Sequence, residues 1–229
     1  MSTLTAKRSL VTHLDPYSQV SDTFRSLRNM IETSAGGAPL KVIAVVSADP
    51  AEGKTTIAVN LAIACAQAGK RVLLIDGNLR HPALDQVFSV SNQAGLSSLL
   101  LHSASLADTV KDVGIPQLSL LTAGPAPVFG SDPLDSAAMD DLLRQAKAEY
   151  DVVILDSPAL LALADALAIA RKSDGVLWVL HSKISRKVKA LEAKKLLQRL
   201  DVKIIGCVLN KARRGRSKAF RHYASTRSL

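Results

Sequence analysis

The apolar positions of this chain follow two alternating rhythms. Short, nearly unbroken apolar runs occur at 42–46, 71–76, 118–122, 151–156, 175–180 and 202–209. Runs of this length without polar alternation read as parallel strands buried on both faces. Between them the spacing becomes helical. Val20, Phe24, Leu27 and Ile31 fall at i, i+4, i+7 and i+11, which predicts a helix over 18–31. Further helices are predicted from Ile57 to Ala64 and over 96–101, 106–110, 137–148, 160–171 and 188–200. Strand and helix alternating in this way predict an α/β fold: a doubly wound, mostly parallel sheet between two helical layers.

Breakers divide the chain. Residues 1–16 read as unstructured, with Asp15-Pro16 as a turn. Ser34-Ala35-Gly36-Gly37-Ala38-Pro39 ends the first helix, and Ala68-Gly69-Lys70 reads as a helix C-cap. The expected organisation is an arm with one helix (1–38), a single α/β domain (39–210) and a basic tail (211–229).

Composition narrows the class. The chain has 229 residues, 48% hydrophobic but only 3% aromatic, so its core must be built from Ala, Val, Leu and Ile. Cys65 and Cys207 lie in apolar segments without a C-x-x-C pattern, which reads as two buried free thiols in a reducing compartment. The first nine residues are polar and lack a signal-peptide core, and no apolar run approaches the ~20 residues of a membrane helix. A cytoplasmic protein is expected. The net charge of +9 is concentrated in the tail, where Lys211, Arg213, Arg214, Arg216, Lys218, Arg221 and Arg227 occur without an acid. Such a tail suits nucleic acid, anionic lipid or an acidic partner.

The chemistry lies at the end of the first strand. Ser47-Ala48-Asp49-Pro50-Ala51-Glu52-Gly53-Lys54-Thr55-Thr56 joins that strand to a helix. Strand, tight loop, Gly-Lys-Thr and helix form the context of a phosphate-binding loop. Loop and helix-terminal N–H groups converge on an anion. Gly53 brings the backbone close, Lys54 reaches the β- and γ-phosphates, and the Thr55 hydroxyl takes Mg²⁺. Ala48 stands where the usual spacing has a first glycine. Asp76 and Asp156 end two other strands, beside the end of the strand that feeds the loop. There one carboxylate can hold Mg²⁺ and another can accept a proton from an attacking hydroxyl. Capping of the following helix is the competing role, above all for Asp156 before Ser157-Pro158. His13, His81, His102, His181 and His222 show no ligand spacing.

These segments resemble those of the bacterial protein-tyrosine kinases of the CpsD/CapB type, the capsule and exopolysaccharide autokinases, over about residues 16–225. Leu73–Pro82, with Asp76, Asn78 and Arg80, is similar to their second Walker-type motif, and Val152–Pro158 to their Walker B. Pro50 fits their phosphate loop, and Val208-Leu209-Asn210-Lys211 resembles their base-side strand end. Asp22, Arg25 and Arg28 resemble their E-x-x-R-x-x-R self-association motif.

The resemblance implies an ATPase domain of the MinD/ParA-like P-loop class. It implies transfer of the γ-phosphate of MgATP to a tail tyrosine of a neighbouring subunit. Lys54, Asp76, Arg80 and Asp156 would be catalytic, and Pro50, Glu52, Gly53, Lys54, Thr55, Thr56 and Asn210 would bind ATP. Thr55, Asp76, Asn78 and Asp156 would hold Mg²⁺, and Tyr223 would be the acceptor. The implied partners are further copies in a closed ring, a membrane polysaccharide co-polymerase that activates the kinase, and a cognate phosphatase. No nucleic acid is expected. The kinase would be a separate chain recruited to the inner face of the plasma membrane.

The chain departs from the family pattern in four places. Asn78 replaces a second acid, Asp22 replaces Glu, and the third-strand loop reads Ala126-Pro127-Val128-Phe129-Gly130. The tyrosine cluster is reduced to Tyr223, while Tyr17 and Tyr150 adjoin folded elements. Two other readings remain: a ParA/MinD-like switching ATPase and a nucleotide-binding regulator without transfer chemistry. The ParA/MinD signature lysine would stand at position 49, which is Asp here.

Overall fold

The computed structural model describes residues 10–34, 40–101, 103–126 and 133–212. The tail from Arg213, with Tyr223 and His222, lies outside them, as do His102, residues 35–39 and the loop positions Pro127 to Gly130.

Among the described residues, seven strands form one sheet in the order β3-β4-β2-β5-β1-β6-β7. They are β1 (Val42–Val46), β2 (Val72–Asp76), β3 (Lys111–Asp112), β4 (Leu118–Leu121), β5 (Val152–Asp156), β6 (Gly175–His181) and β7 (Ile204–Asn210). Every pairing is parallel except the short β3–β4 pair. The central strands are buried on both faces because each sends alternate residues into opposite layers. Val42, Ala44 and Val46 of β1 join one core with Leu73, Ile75, Val153 and Leu155. Ile43 and Val45 join the other with Leu74, Ile154 and the helix after the phosphate loop.

The helices are α1 (Val11–Leu14), α2 (Gln19–Ser34), α3 (Lys54–Ala66), α4 (Leu84–Phe88), α5 (Leu96–Leu100), α6 (Leu106–Thr109), α7 (Ala137–Glu149), α8 (Ala164–Lys172) and α9 (Lys187–Arg199). Helix α3 is apolar on all sides and lies under α2 on one face of the sheet. Helices α7, α8 and α9 contribute to the opposite core.

Three expectations are corrected. Part of the segment expected to be unstructured forms α1, because tertiary contacts hold it: the Thr12 N–H donates to Asn60 Oδ1 (2.9 Å) and Gln67 Nε2 donates to the Thr12 carbonyl (3.0 Å). Cys207 is exposed rather than buried, because β7 is an edge strand. Cys65 is buried on α3, and burial pushes its thiol up to about 12. Finally, β5 lies between β1 and β2, so Asp76 stands one strand further from the phosphate loop than Asp156.

Candidate active site at the carboxyl ends of the strands

The loop after β1 is held from within and from outside. Ala48 is buried and does not adopt a positive φ, so an alanine fits where the motif usually has glycine. The left-handed residues of the loop are Ala51 (φ 62°) and Gly53 (φ 101°). Ser47 Oγ donates to the Asp49 carbonyl (2.7 Å) and accepts from Lys54 Nζ (2.9 Å). Lys54 opens α3 with its ammonium almost wholly buried. Burial lowers its pKa, while Asp156, Glu52 and Asp49 favour its charged form.

Glu52, expected among the nucleotide contacts, is buried and braces the loop. One carboxylate oxygen accepts the Asp49 N–H (3.1 Å), and the other accepts the Ser185 hydroxyl from the turn before α9. Asn210, at the end of β7, donates from Nδ2 to the Glu52 carbonyl (3.0 Å). Lys189 of α9 ion-pairs with Asp49 at 2.6 Å, so a cation reaches the loop from a distant helix. Pro50 is exposed on the outer side of the loop, and Thr56 is half-buried on the first turn of α3.

Asp76 and Asp156 face each other across the β2–β5 pair. Both are buried, Asp76 at 0% exposure and Asp156 at 2%. Burial raises the pKa of each, and the neighbouring Asp76 charge raises that of Asp156 further. Their surroundings differ. Asp76 Oδ1 accepts the Asn78 N–H (3.1 Å), and Oδ2 accepts the N–H groups of Ala83 and Leu84 (both 2.9 Å) at the start of α4. The capping role weighed above all for Asp156 thus falls to Asp76. The nearby Thr55 side chain favours the charged form of Asp156, whose Oδ1 is buried with no hydrogen-bond partner among the described residues.

Gly77 closes the gap between these two strands. Its N–H donates to the Asp156 carbonyl (2.8 Å), and a Cβ there would lie 2.9 Å from that same oxygen. Asn78 Oδ1 accepts the His81 N–H (3.2 Å), and Arg80 pairs with Asp165 at the start of α8 (3.2 Å). Both side chains are therefore engaged in shaping the loop after β2.

Two adjacent buried carboxylates beside one lysine leave a deficit of positive charge. The Thr55 hydroxyl and the partnerless Asp156 oxygen are hard oxygen donors. The donor set therefore suits Mg²⁺, which keeps waters and phosphate oxygens as its remaining ligands, and the residues fit MgATP on this ground.

Asp22, Arg25 and Arg28 of α2 are engaged within the chain. Arg25 pairs with Asp22 (2.6 Å) and donates to the Pro16 carbonyl (2.7 Å), while Arg28 donates to the Ala64 carbonyl in the last turn of α3 (2.9 Å). His181 is buried and satisfied, its Nδ1 accepting the Lys183 N–H (3.1 Å). The Ser185, Lys189 and Arg28 contacts escaped the sequence reading, because no local signal links residues that far apart.

A phosphate loop on β1, an acid on the adjacent parallel strand and a doubly wound sheet define a P-loop nucleotide-binding protein. Residues 40–201 match the AAA-domain family. The tyrosine-protein kinase YwqD of Bacillus subtilis is 35% identical over 96% of this chain and 92% of its own length. The succinoglycan biosynthesis transport protein ExoP of Rhizobium meliloti is 35% identical over 86% of this chain, which spans a quarter of ExoP. Among solved structures, the chimerical protein CapA2B2 superposes with a TM-score of 0.85 at 35% identity, covering 89% of this chain and 90% of that one. The septum site-determining protein MinD of Pyrococcus horikoshii, complexed with Mg-ADP, gives 0.65 at 26% identity over 78% and 72% of the two chains. The chain belongs to the bacterial tyrosine-protein kinases with this AAA-type domain.

Proposed function

We propose that this chain is a tyrosine autokinase that transfers the γ-phosphate of MgATP and serves polysaccharide synthesis and export. The observation that carries this reading is the buried oxygen of Asp156, without a partner among the described residues, at the end of β5 beside Lys54 and Thr55 at the start of α3. Kinship with YwqD supports tyrosine as the acceptor, and kinship with ExoP supports the polysaccharide setting.

Bound Mg²⁺ supplies charge neutralisation between the phosphates and lowers the barrier to in-line displacement. The chain's own groups do the rest. Lys54 and the N–H groups of Gly53, Lys54 and Thr55 hold phosphate oxygens at the start of α3. Pro50 and Glu52 set the shape of the loop, with Thr56 beside it, and Asn210 fixes its far side toward the base. Thr55 and Asp156 hold the ion. Asp76 Oδ1 carries a single N–H bond, so it can still orient the acceptor hydroxyl and take its proton. Asn78 and Arg80 keep the loop after β2 in place for that step.

The acceptor in this reading is Tyr223, delivered in trans by the tail (211–229) from the domain (39–210) of a neighbouring copy. The arm (1–38) joins copies into a closed ring through the helix carrying Asp22, Arg25 and Arg28. Phosphorylation of the tail opens the ring. A membrane co-polymerase recruits the protein to the inner face of the membrane and activates it, and a phosphatase resets it. Incubation with labelled MgATP tests the core of this. Label on tyrosine, lost in Tyr223→Phe, is the expected result; label released only as free phosphate overturns it.

The regulator reading gains one observation, since Asp76 already accepts three backbone N–H groups. The ParA/MinD reading loses one, since Asp49 holds Lys189 where that class has its signature lysine.

A further inference from the structure

Helix α9 buries Ala193 and Leu197 and turns its opposite side to solvent. That outer side carries apolar residues where a solvated helix would carry polar ones. Val188 is 77% exposed and Leu191 49%, and Ile184 in the preceding turn is 48% exposed. Positions 188, 191 and 195 follow the i, i+3, i+7 spacing of one helical face, and Ile184 lies in the turn just before it. Lys195 continues the stripe, and Lys187 and Arg199 flank it.

The charge around this stripe has one sign. Residues 182–199 hold seven Lys and Arg and a single acid, Glu192. Lys189 is committed to Asp49. Lys183, Arg186, Lys187, Lys194, Lys195 and Arg199 are all exposed, and no ion pair is found for any of them among the described residues. Half-exposed aliphatic side chains amid lysines and arginines on one helix face are the pattern of an interfacial helix. The apolar residues enter the acyl boundary, the long basic side chains reach the headgroups, and both terms add.

We infer that the outer face of α9, from Ile184 to Arg199, docks on an anionic lipid surface. This contact is direct and independent of the kinase chemistry and of any protein that recruits the chain. Charge complementarity fixes the occupant as anionic, and exposed aliphatic side chains lying among lysines and arginines on one helix face favour a bilayer over a protein. The inner side of the same segment delivers Lys189 to Asp49 and Ser185 to Glu52. A bilayer seated on α9 therefore lies about one helix diameter, ~10 Å, from the phosphate loop.

The test must separate this face from the basic tail. The full chain carrying Cys207→Ser and Val188→Cys, labelled with a polarity-sensitive dye, is mixed with phosphatidylglycerol-rich or all-phosphatidylcholine vesicles. The expected result is a blue shift and co-sedimentation with the anionic vesicles only. Lys187→Glu with Lys195→Glu should then weaken partitioning at least about tenfold. In the otherwise native chain, Leu191→Ser should weaken it several-fold with all charges kept. Unchanged ATP binding shows that these variants remain folded. Binding without a blue shift, removed by Arg213→Ser, Arg214→Ser and Arg216→Ser but not by the α9 changes, assigns lipid contact to the tail and overturns the proposal. Absence of vesicle binding, or a blue shift given only by an acidic amphipathic peptide, overturns it equally.

Discussion

The side-chain amide of Asn210 occupies the space that a side chain on Gly53 would need: a Cβ at position 53 would lie 2.0 Å from Asn210 Nδ2. Gly53 also has φ 101°, which by itself demands glycine there, whereas the Asn210 amide could turn away only by giving up the Glu52 carbonyl. Gly53→Ala should cost about 1–3 kcal/mol of local strain and displace the loop from Asn210. ATP affinity measured by calorimetry should fall below detection. Asn210→Ala frees the Glu52 carbonyl without that strain and should weaken ATP only about tenfold. Equal affinities in the two variants would refute this ordering.

Lys54→Met removes the cation that faces Asp156, Glu52 and Asp49. Phosphoryl transfer should be lost and ATP binding weakened, since Met offers volume without charge. Wild-type turnover in this variant would remove the phosphate-loop assignment altogether.

Asp76 and Asp156 predict a pH dependence of stability in the nucleotide-free protein. Burial raises both pKa values above those of the unfolded chain. The folded state then holds these protons more tightly. Their stabilising contribution is complete below the ordinary carboxylate range and is lost as pH rises through the raised values. Melting temperature without Mg²⁺ should therefore decline between about pH 4.5 and about pH 7.5. Asp156→Asn should flatten that decline, as should saturating MgADP. An identical profile in Asp156→Asn would show that the pair does not titrate in this window.

Asp76→Asn separates the two roles of that carboxylate. If Asp76 takes the acceptor proton, transfer should fall by orders of magnitude while ATP binding changes little. Stability near neutral pH should not fall with it, because burial disfavours the charged carboxylate more than the N–H groups of Ala83 and Leu84 favour it. A parallel loss of binding and transfer would make Asp76 a metal ligand instead.

Arg28 reaches the Ala64 carbonyl of its own chain, so Arg28→Ala should lower stability by about 1–2 kcal/mol whatever the assembly state. Arg25→Ala with Arg28→Ala should also reduce particle mass in light scattering if α2 joins copies. A stability loss with unchanged particle mass would confine both arginines to intramolecular work.

The parts of this protein that depend on nearest neighbours were legible in the sequence. The six longer strands, the helix with Phe24 and Ile31, and the Gly-Lys-Thr loop follow from spacing and residue type, because periodicity and turn chemistry act over a few residues. The order of the strands did not follow from them. It separates Asp76 from β1 by β5 and leaves Cys207 on an edge. Nor did the local signal tell which acid caps a helix and which keeps a free oxygen, since both read as an aspartate ending an apolar strand. The bracing of the phosphate loop was equally invisible, because Ser185, Lys189 and Asn210 meet residues more than a hundred positions away. Propensity acts along the chain, whereas hydrogen-bond satisfaction and desolvation act across the packed space, and only the tertiary structure decides which groups share it.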